Sequence, residues 1–532
     1  MANLAALYAE SDFDRITEVL GYTPYSRIKV FLYNSPQDLS QSNMGMASLG
    51  DLKDKDIALA KSRVEIAFAG DQISFKKQLI QEITTLFVYD MLYGGSLKDA
   101  LQSSLLLSVP DWFMSGIAAY IAEGWTGEAD DQFRNMIKDG FPRKPSFTTG
   151  REATIVGLSI WNYIAERYGR DNISNILNLT RIIRTEQTSI ASTLGVSYTR
   201  FLKDWQDFYT NQDAYITQNY KVNAEDHLLD VPVNKQNSIL KRTRLSNDNK
   251  WVAYSSIKQG KYSIDVIRLS DKKKINVTKG GYEITAKERN LQTPLVAWQR
   301  NNSLAVVIDD RGKLTLYIYN NFEEGKPTLK IEREIRNLNQ IVDFDIADDG
   351  TFLVMSAEKN GQNDIYYFNV GRGATAQITN DLYDDLYPRF VGQSSQQFVF
   401  TSNRLKDTLG IDRGSYRTIK DKFGLFFHEG GYRATTVRRL IDSLGTPSRP
   451  LAFDDRAVYF LSDVKGITNL YRLDIDTKAV RELTNFSHNI QDFDLNLQSG
   501  SMLYLIYQNG FETIGFTPIF DEIGRASCRE RV

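Results

Sequence analysis

Apolar residues recur with two different periods along this chain, and the change of period divides it. From Met1 to about Tyr220 they mostly return every three or four residues, the spacing of one helix face. Phe113, Ile117, Tyr120 and Ile121 form one such stripe, and Ile160, Tyr163, Ile164 and Tyr168 form another. Two strand-like runs, RIKVFLYN (27–34) and RVEIAFA (63–69), interrupt the helical pattern. The first part is therefore expected to be α+β and mainly helical.

After a polar stretch at 221–240, short alternating runs appear, separated by Asn, Asp and Gly turns. Their cores are WVAYSS (251–256), LAVVID (304–309), FLVMSA (352–357), FVFTSN (398–403), VYFLSD (458–463) and LYLIYQ (503–508). With Val252, Val306, Val354, Val399, Tyr459 and Tyr504 as markers, the intervals are 54, 48, 45, 60 and 45 residues. A second strand follows three of the markers: SIDVIRL (263–269), DIYYFNV (364–370) and NLYRLDI (469–475). A third follows two, AQITND (376–381) and RELTNF (481–486). Repeats of about 40 to 50 residues with several strands each predict β-propeller blades; a sandwich would not be expected to keep one spacing and one internal order. The long interval is assigned to an insertion at 404–440. LYLIYQNGFETIGFTPIF (503–520) starts a further blade that stops after two strands. The expected fold is thus multidomain: a mainly helical α+β domain at 1–220, a linker at 221–240, and an all-β, incomplete propeller at 241–521. The propeller should have about five blades plus part of another.

No blade carries the Trp-Asp dipeptide of tryptophan–aspartate repeats. The turns LSNDNKWVAYSS (245–256) and IADDGTFLVMSA (346–357), with the Asp364-Ile365-Tyr366 strand and the Gln377-to-Asn380 run, resemble TolB-type propeller repeats. The likeness spans about 245–510. It implies a binding platform or a gate on a peptidase, and it does not specify the partner.

Composition narrows the chemistry. Lys plus Arg number 64 against 66 Asp plus Glu, a net charge of −2, which argues against a protein that coats nucleic acid. Cys528 is the one cysteine, so neither an intrachain disulfide nor a thiolate metal cage can form. The three histidines, His227, His428 and His488, all lie beyond residue 226. No run of about 18 apolar residues is present to span a membrane as a helix.

The segment FKKQLIQEITTLFVYDMLYGG (75–95) predicts an amphipathic helix with Leu79, Ile80, Ile83 and Phe87 on one face. Its centre, Gln81-Glu82-Ile83-Thr84-Thr85, fills the frame of H-E-x-x-H, in which two imidazoles one turn apart bind zinc and the Glu activates water. PDWFMSGIAAYIAEG (110–124) resembles the element that supplies the third zinc ligand in gluzincin-type metallopeptidases. The flanks 26–43, 157–177 and 194–209 agree in order. Residues 1–215 therefore resemble the peptidase-MA-like gluzincin family. Carried over position by position, the resemblance puts Gln81 and Thr85 at the histidine positions and Ser115 at the glutamate position. Glu82 keeps the general-base residue, and Ala119 replaces the second acid. An amide and two hydroxyls are a poor set for Zn²⁺, and no histidine nearby can substitute. A base without a metal-polarised water loses several kcal/mol of transition-state stabilisation. No catalytic residue, cofactor or metal is expected here.

Other candidates are thinner. Gly94-Gly95-Ser96 is not a nucleophile elbow. His428 and His488 lack a local Ser–Asp partner, and Asp348, Asp349, Asp381, Asp384 and Asp385 read as turn acids rather than a calcium site. The 404–440 segment is locally basic, with Arg404, Lys406, Arg413, Arg417, Lys420, Lys422, Arg433, Arg438 and Arg439 against Asp407, Asp412, Asp421 and Glu429. It is either a solvated loop or a docking element for an acidic partner. EIGRASCRERV (522–532) departs from everything before it and reads as adaptor- or vector-derived sequence.

The resulting expectation is a non-catalytic protein-binding or scaffold protein that engages a protein or peptide through its propeller loops, without nucleic acid. Its resemblances imply the periplasm or outer membrane of a Gram-negative bacterium, with a signal peptide missing from this chain; the bare sequence would read as cytoplasmic. The alternatives are a propeller-gated peptidase whose catalytic domain lies beyond this chain, and a residual hydrolase around Glu82.

Overall fold

The computed structural model describes residues 2–518 apart from 25–26, 35–37, 40–62, 69, 94–108, 139, 143, 222–226, 230, 232–237, 259, 282–293, 311, 411–418, 420, 432–433 and 443. The chain divides into two compact units, Met1–Asn219 and Tyr220–Val532. Gly94-Gly95-Ser96 and the 522–532 tail lie outside the described residues.

The first unit contains helices α1 (Ala2–Leu20), α2 (Gln72–Tyr93), α3 (Asp111–Glu123), α4 (Gly127–Ile137), α5 (Gly150–Tyr168), α6 (Asp171–Ile183), α7 (Glu186–Leu194) and α8 (Tyr198–Asn219). A parallel pair accompanies them, β1 (Lys29–Tyr33) with β2 (Arg63–Ala67). The stripe Leu79, Ile80, Ile83 and Phe87 is buried, as its spacing predicts. The tightest crossing joins α3 to α5, where Gly116 meets Gly157. A Cβ on Gly157 would run into the Trp112 carbonyl oxygen and come within 2.8 Å of the Gly116 Cα. Only two glycines let these backbones approach so closely. Across the same crossing, Trp161 Nε1 donates to the Phe113 carbonyl at 3.0 Å.

The second unit is a ring of six antiparallel sheets. Blade 1 is β3 (Ser238–Leu245), β4 (Trp251–Lys258), β5 (Lys261–Arg268) and β6 (Lys274–Gly281). Blade 2 is β7 (Leu295–Trp298), β8 (Leu304–Asp310), β9 (Lys313–Asn320) and β10 (Thr328–Ile335). Blade 3 is β11 (Gln340–Ile346), β12 (Phe352–Lys359), β13 (Gln362–Asn369) and β14 (Ala374–Gln377). Blade 4 is β15 (Asp385–Phe390), β16 (Phe398–Ser402), β17 (Gly424–His428) and β18 (Arg438–Ile441). Blade 5 is β19 (Ser448–Leu451), β20 (Ala457–Ser462), β21 (Asn469–Asp474) and β22 (Val480–Glu482). Blade 6 is β23 (Ile490–Asn496), β24 (Ser501–Gln508) and β25 (Phe511–Pro518).

Successive strand residues point to opposite faces of a sheet, so each blade feeds two seams. In β4, Trp251 and Ala253 pack against blade 2, while Val252 and Tyr254 pack against blade 6. In β8, Leu304, Val306 and Ile308 face blade 1, and Ala305 and Val307 face blade 3. Burial on both faces explains why these strands read as continuous apolar runs.

The ring closes, which corrects the expectation of an incomplete propeller with about five blades. Inner strands meet in the order β3, β7, β11, β15, β19, β23 and β3 again. The sixth seam has its own core, in which Leu240, Leu245, Val252, Tyr254 and Ile267 pack on Leu503, Leu505 and Ile514. Blade 6 also has an inner strand, β23, that the sequence pattern did not reveal. At its outer edge Leu228 bridges Gly515, and the Leu229 N–H donates to the Ile514 carbonyl at 2.9 Å.

The insertion is also narrower than 404–440, because β17 and part of β18 fall inside that range. Its surplus is the β16–β17 connection at 403–423. The described part of this connection runs along the outer edge of blade 4: Thr408 bridges Thr436, and Val437 and Leu409 exchange backbone hydrogen bonds with Asp407 and Thr435 at 2.8 and 2.7 Å. These bonds lie just before β18, at the start of the blade's outer strand.

Candidate functional site

Gln81, Glu82 and Thr85 lie in the middle of α2, and Ser115 and Ala119 lie on α3, which packs against it. Residues four apart share a helix face, so Gln81 and Thr85 form one stripe with Lys77, and Ser115 and Ala119 form another with Glu123. Lys77 Nζ pairs with Glu123 between the two stripes. Burial pushes the Glu123 carboxyl above its ordinary range, and the Lys77 ammonium opposes it.

Neither hydroxyl of the frame is directed at a ligand. Thr85 Oγ1 donates to the Gln81 carbonyl at 2.8 Å, and Ser115 Oγ donates to the Asp111 carbonyl at 2.7 Å. Both bonds turn the side chain back onto its own helix. Gln81 and Thr85 are half-buried and Glu82 is exposed. The donor set is one amide and two back-bonded hydroxyls, which does not fit Zn²⁺.

Among the described residues, one carboxylate group is close enough to share a cation: Asp364, Asp381 and Asp385, with oxygens within 4.8 Å of one another. The guanidinium of Arg404 already lies against it. Arg404 bonds Asp385 at 2.8 and 3.1 Å and Asp381 at 3.1 Å, with all the partners buried. Asp364 accepts from Thr379 Oγ1 at 3.2 Å and is pushed well up by burial and by Asp385 and Asp381. The cluster ties blade 3 to blade 4. His428 is buried and stacked on Phe398 at 4.4 Å, and His488 is also buried.

Among the described residues, three of the nine basic residues at 404–440 are engaged in ion pairs. Arg404 is in the core, Arg438 pairs with Glu429 at 3.0 Å, and Arg439 pairs with Asp407 and Asp442 at 2.8 and 2.9 Å. Arg413, Arg417, Lys420 and Arg433 lie outside the described residues.

Sequence reasoning missed a charged ring on the inner strands. Within the propeller an Asp-Phe-Asp text occurs twice, at 343–345 in blade 3 and at 492–494 in blade 6. Each copy holds the next blade in the same way. Asp343 pairs with Arg389 at 3.1 Å while Asp345 accepts from the Phe390 N–H at 3.0 Å. Asp492 pairs with Arg244 at 2.9 Å while Asp494 accepts from the Leu245 N–H at 2.9 Å. Burial pushes Asp345 up to about 7 and Asp494 up to about 6, against the pull of Arg244 and backbone N–H groups. Burial would raise Asp492 too, but Arg244, Arg449 and Arg242 outweigh it and hold it at about 2. The repeated Asp-Phe-Asp was the available signal, but its partners lie in other blades.

No protein-family model matches the sequence, and no curated protein matches it either. Solved structures similar to it include a TolB protein of Agrobacterium tumefaciens, at 16% identity and a TM-score of 0.36, covering 48% of this chain and 79% of that one. TolB of Acinetobacter baumannii is similar at 14% identity and a TM-score of 0.33, covering 61% and 71%. The tricorn protease is similar at 16% identity and a TM-score of 0.33, covering 55% of this chain and 32% of that one. The six-bladed arrangement rests on strand order and ring closure.

Proposed function

We propose that this chain is a non-catalytic binding protein of the bacterial envelope. In this reading the helical unit keeps the frame of a gluzincin metallopeptidase without its ligands, and the propeller is the binding platform. The observation that carries the reading is the replacement of all three ligand positions, by Gln81, Thr85 and Ser115, with both hydroxyls bonded to their own helices. The Lys77–Glu123 pair supports the frame. Glu82 alone has no metal-polarised water to activate. No helix among the described residues is long and apolar enough to cross a membrane.

Metal analysis of the purified protein tests the proposal. Substoichiometric zinc and no peptide cleavage are expected, and one zinc per chain held by residues 1–219 would overturn it. Gln81→His, Thr85→His and Ser115→Glu combined should create zinc affinity; no gain would refute the assigned frame.

A further inference from the structure

We propose that the mouth of the propeller channel binds a carboxylate, gripped by Arg242 and Arg449 with the Tyr387 ring as its wall. The inference deepens the reading of the propeller as a binding platform and rests on it.

Five inner strands, β3, β11, β15, β19 and β23, slip in their pairing with the second strand, and in three of them, β3, β15 and β19, the residue at the slip takes a left-handed backbone. Arg242, Tyr387 and Arg449 occupy the three slips with φ of 42°, 54° and 51°. Large L-residues rarely adopt that left-handed backbone, which is strained and is retained where the surroundings impose it, often at ligand sites. Glycine or asparagine would relieve the strain. The three positions instead gather two guanidiniums and a phenol. The Arg449 guanidinium lies over the Tyr387 ring at 4.6 Å.

Arg242, Arg244, Arg389 and Arg449 share two carboxylates. Asp343 takes Arg389 at 3.1 Å and Arg242 at 3.5 Å, and Asp492 takes Arg244 at 2.9 Å and Arg449 at 3.3 Å. Asp345 and Asp494 are directed instead at the backbone N–H groups of Phe390 and Leu245. Arg242 is buried; its Nε faces Asp343 at 3.5 Å without making a hydrogen bond, and its one hydrogen bond goes from a terminal nitrogen to the Val342 carbonyl at 3.0 Å. Arg449 is half-buried and makes one hydrogen bond, to Asp492, from the five N–H groups of its fork. An enclosed guanidinium with unused donors is costly until an anion meets it.

A carboxylate fits better than a phosphate. The planar fork of arginine matches two carboxylate oxygens, and a single added charge sits more easily than a double one beside Asp343, Asp345, Asp492 and Asp494. The beginnings of the inner strands, the connections between blades and the turns between second and third strands share one face of the ring. A ligand reaching the site would therefore enter from that face.

The probes are acetyl-trialanine with a free C-terminus, its C-terminal amide, and inorganic phosphate, titrated calorimetrically into the full chain at low ionic strength. The free acid should bind at least tenfold more tightly than the amide, about 1.4 kcal/mol, and more tightly than phosphate. Arg449→Gln should lose at least tenfold, and Arg449→Lys, which keeps the charge but not the fork, should retain part of the affinity. A melting curve establishes that each variant is folded; if Arg449→Gln is not, the lysine variant decides. Equal binding of acid and amide, tighter binding of phosphate, no binding of the acid, or unchanged affinity in the folded variant would each overturn the proposal. Zinc content and peptide cleavage report on the helical unit alone, so failure here and failure of the non-catalytic reading are separable.

Discussion

Single carboxylates in the propeller set an unusual dependence of stability on pH. Asp345 and Asp494 are pushed up by burial to about 7 and about 6, and Asp381 is pushed up to about 7 by burial and by Asp385 against Arg404. An unfolded carboxylate titrates near 4, so the native state binds protons that the unfolded chain has already released. The stability these groups contribute is complete below about pH 4 and is lost as pH rises through about 6 to 7. His428 acts in the opposite sense. Burial lowers it to about 4, so its contribution is present above about pH 6.5 and fades as pH falls toward 4. Asp492, held at about 2, contributes above the ordinary carboxylate range and loses that contribution only in stronger acid. Three carboxylates against one imidazole should leave the propeller more stable near pH 5 than near pH 8. Calorimetric melting at the two values checks this, and Asp345→Asn with Asp494→Asn should shrink the difference; a higher melting temperature at pH 8 would contradict it.

At the scale of elements, the closest approach in the helical unit depends on two glycines. Gly157→Ala would press a methyl group into the Trp112 carbonyl, and the neighbour is backbone, which cannot rotate away. The expected loss is about 3 kcal/mol, at the upper end of overpacking penalties, with Gly116→Ala close behind. Denaturant unfolding followed by a probe in the helical unit measures it, and a change within error would show that α3 and α5 can separate freely. The amphipathic α2 and the second strand of every blade were legible because their own residues carry the period. The Gly116–Gly157 crossing was not, since a glycine in a helical pattern does not reveal which helix it meets. The bounds of the insertion were misplaced for a related reason. GLFFH (424–428) and RRLI (438–441) are too short to stand out beside a polar loop, yet they are the third and fourth strands of blade 4. A deletion of 404–440 would thus remove blade strands and the buried Arg404, and it could not isolate a docking loop.

At the scale of the whole propeller, the sixth seam differs from the other five because its two blades, 6 and 1, are not consecutive along the chain. Blade 6 and blade 1 are held by the apolar cluster around Leu503 and Val252, by the Leu228 bridge to β25, and by the Asp492 and Asp494 latch on β3. Partners such as Arg244 and Asp492 are 248 residues apart, so no local pattern could announce them, and the sequence reading stopped at an open ring. The same latch recurs at the third seam, where Asp343 and Asp345 hold β15. Nature thus supplies an internal control. Asp492→Asn and Asp343→Asn each remove one charge from a buried pair, a loss on the order of 3–5 kcal/mol because arginines are left without a full partner. Their consequences for the ring should differ. At the third seam the β14–β15 connection still tethers the two blades, whereas at the sixth only non-covalent contacts remain. Hydrogen exchange should therefore accelerate in β3 and β25 of Asp492→Asn well beyond any acceleration in β11 and β15 of Asp343→Asn. Equal acceleration in the two variants would mean that the apolar seam alone closes the ring and that the charged latch serves the channel instead.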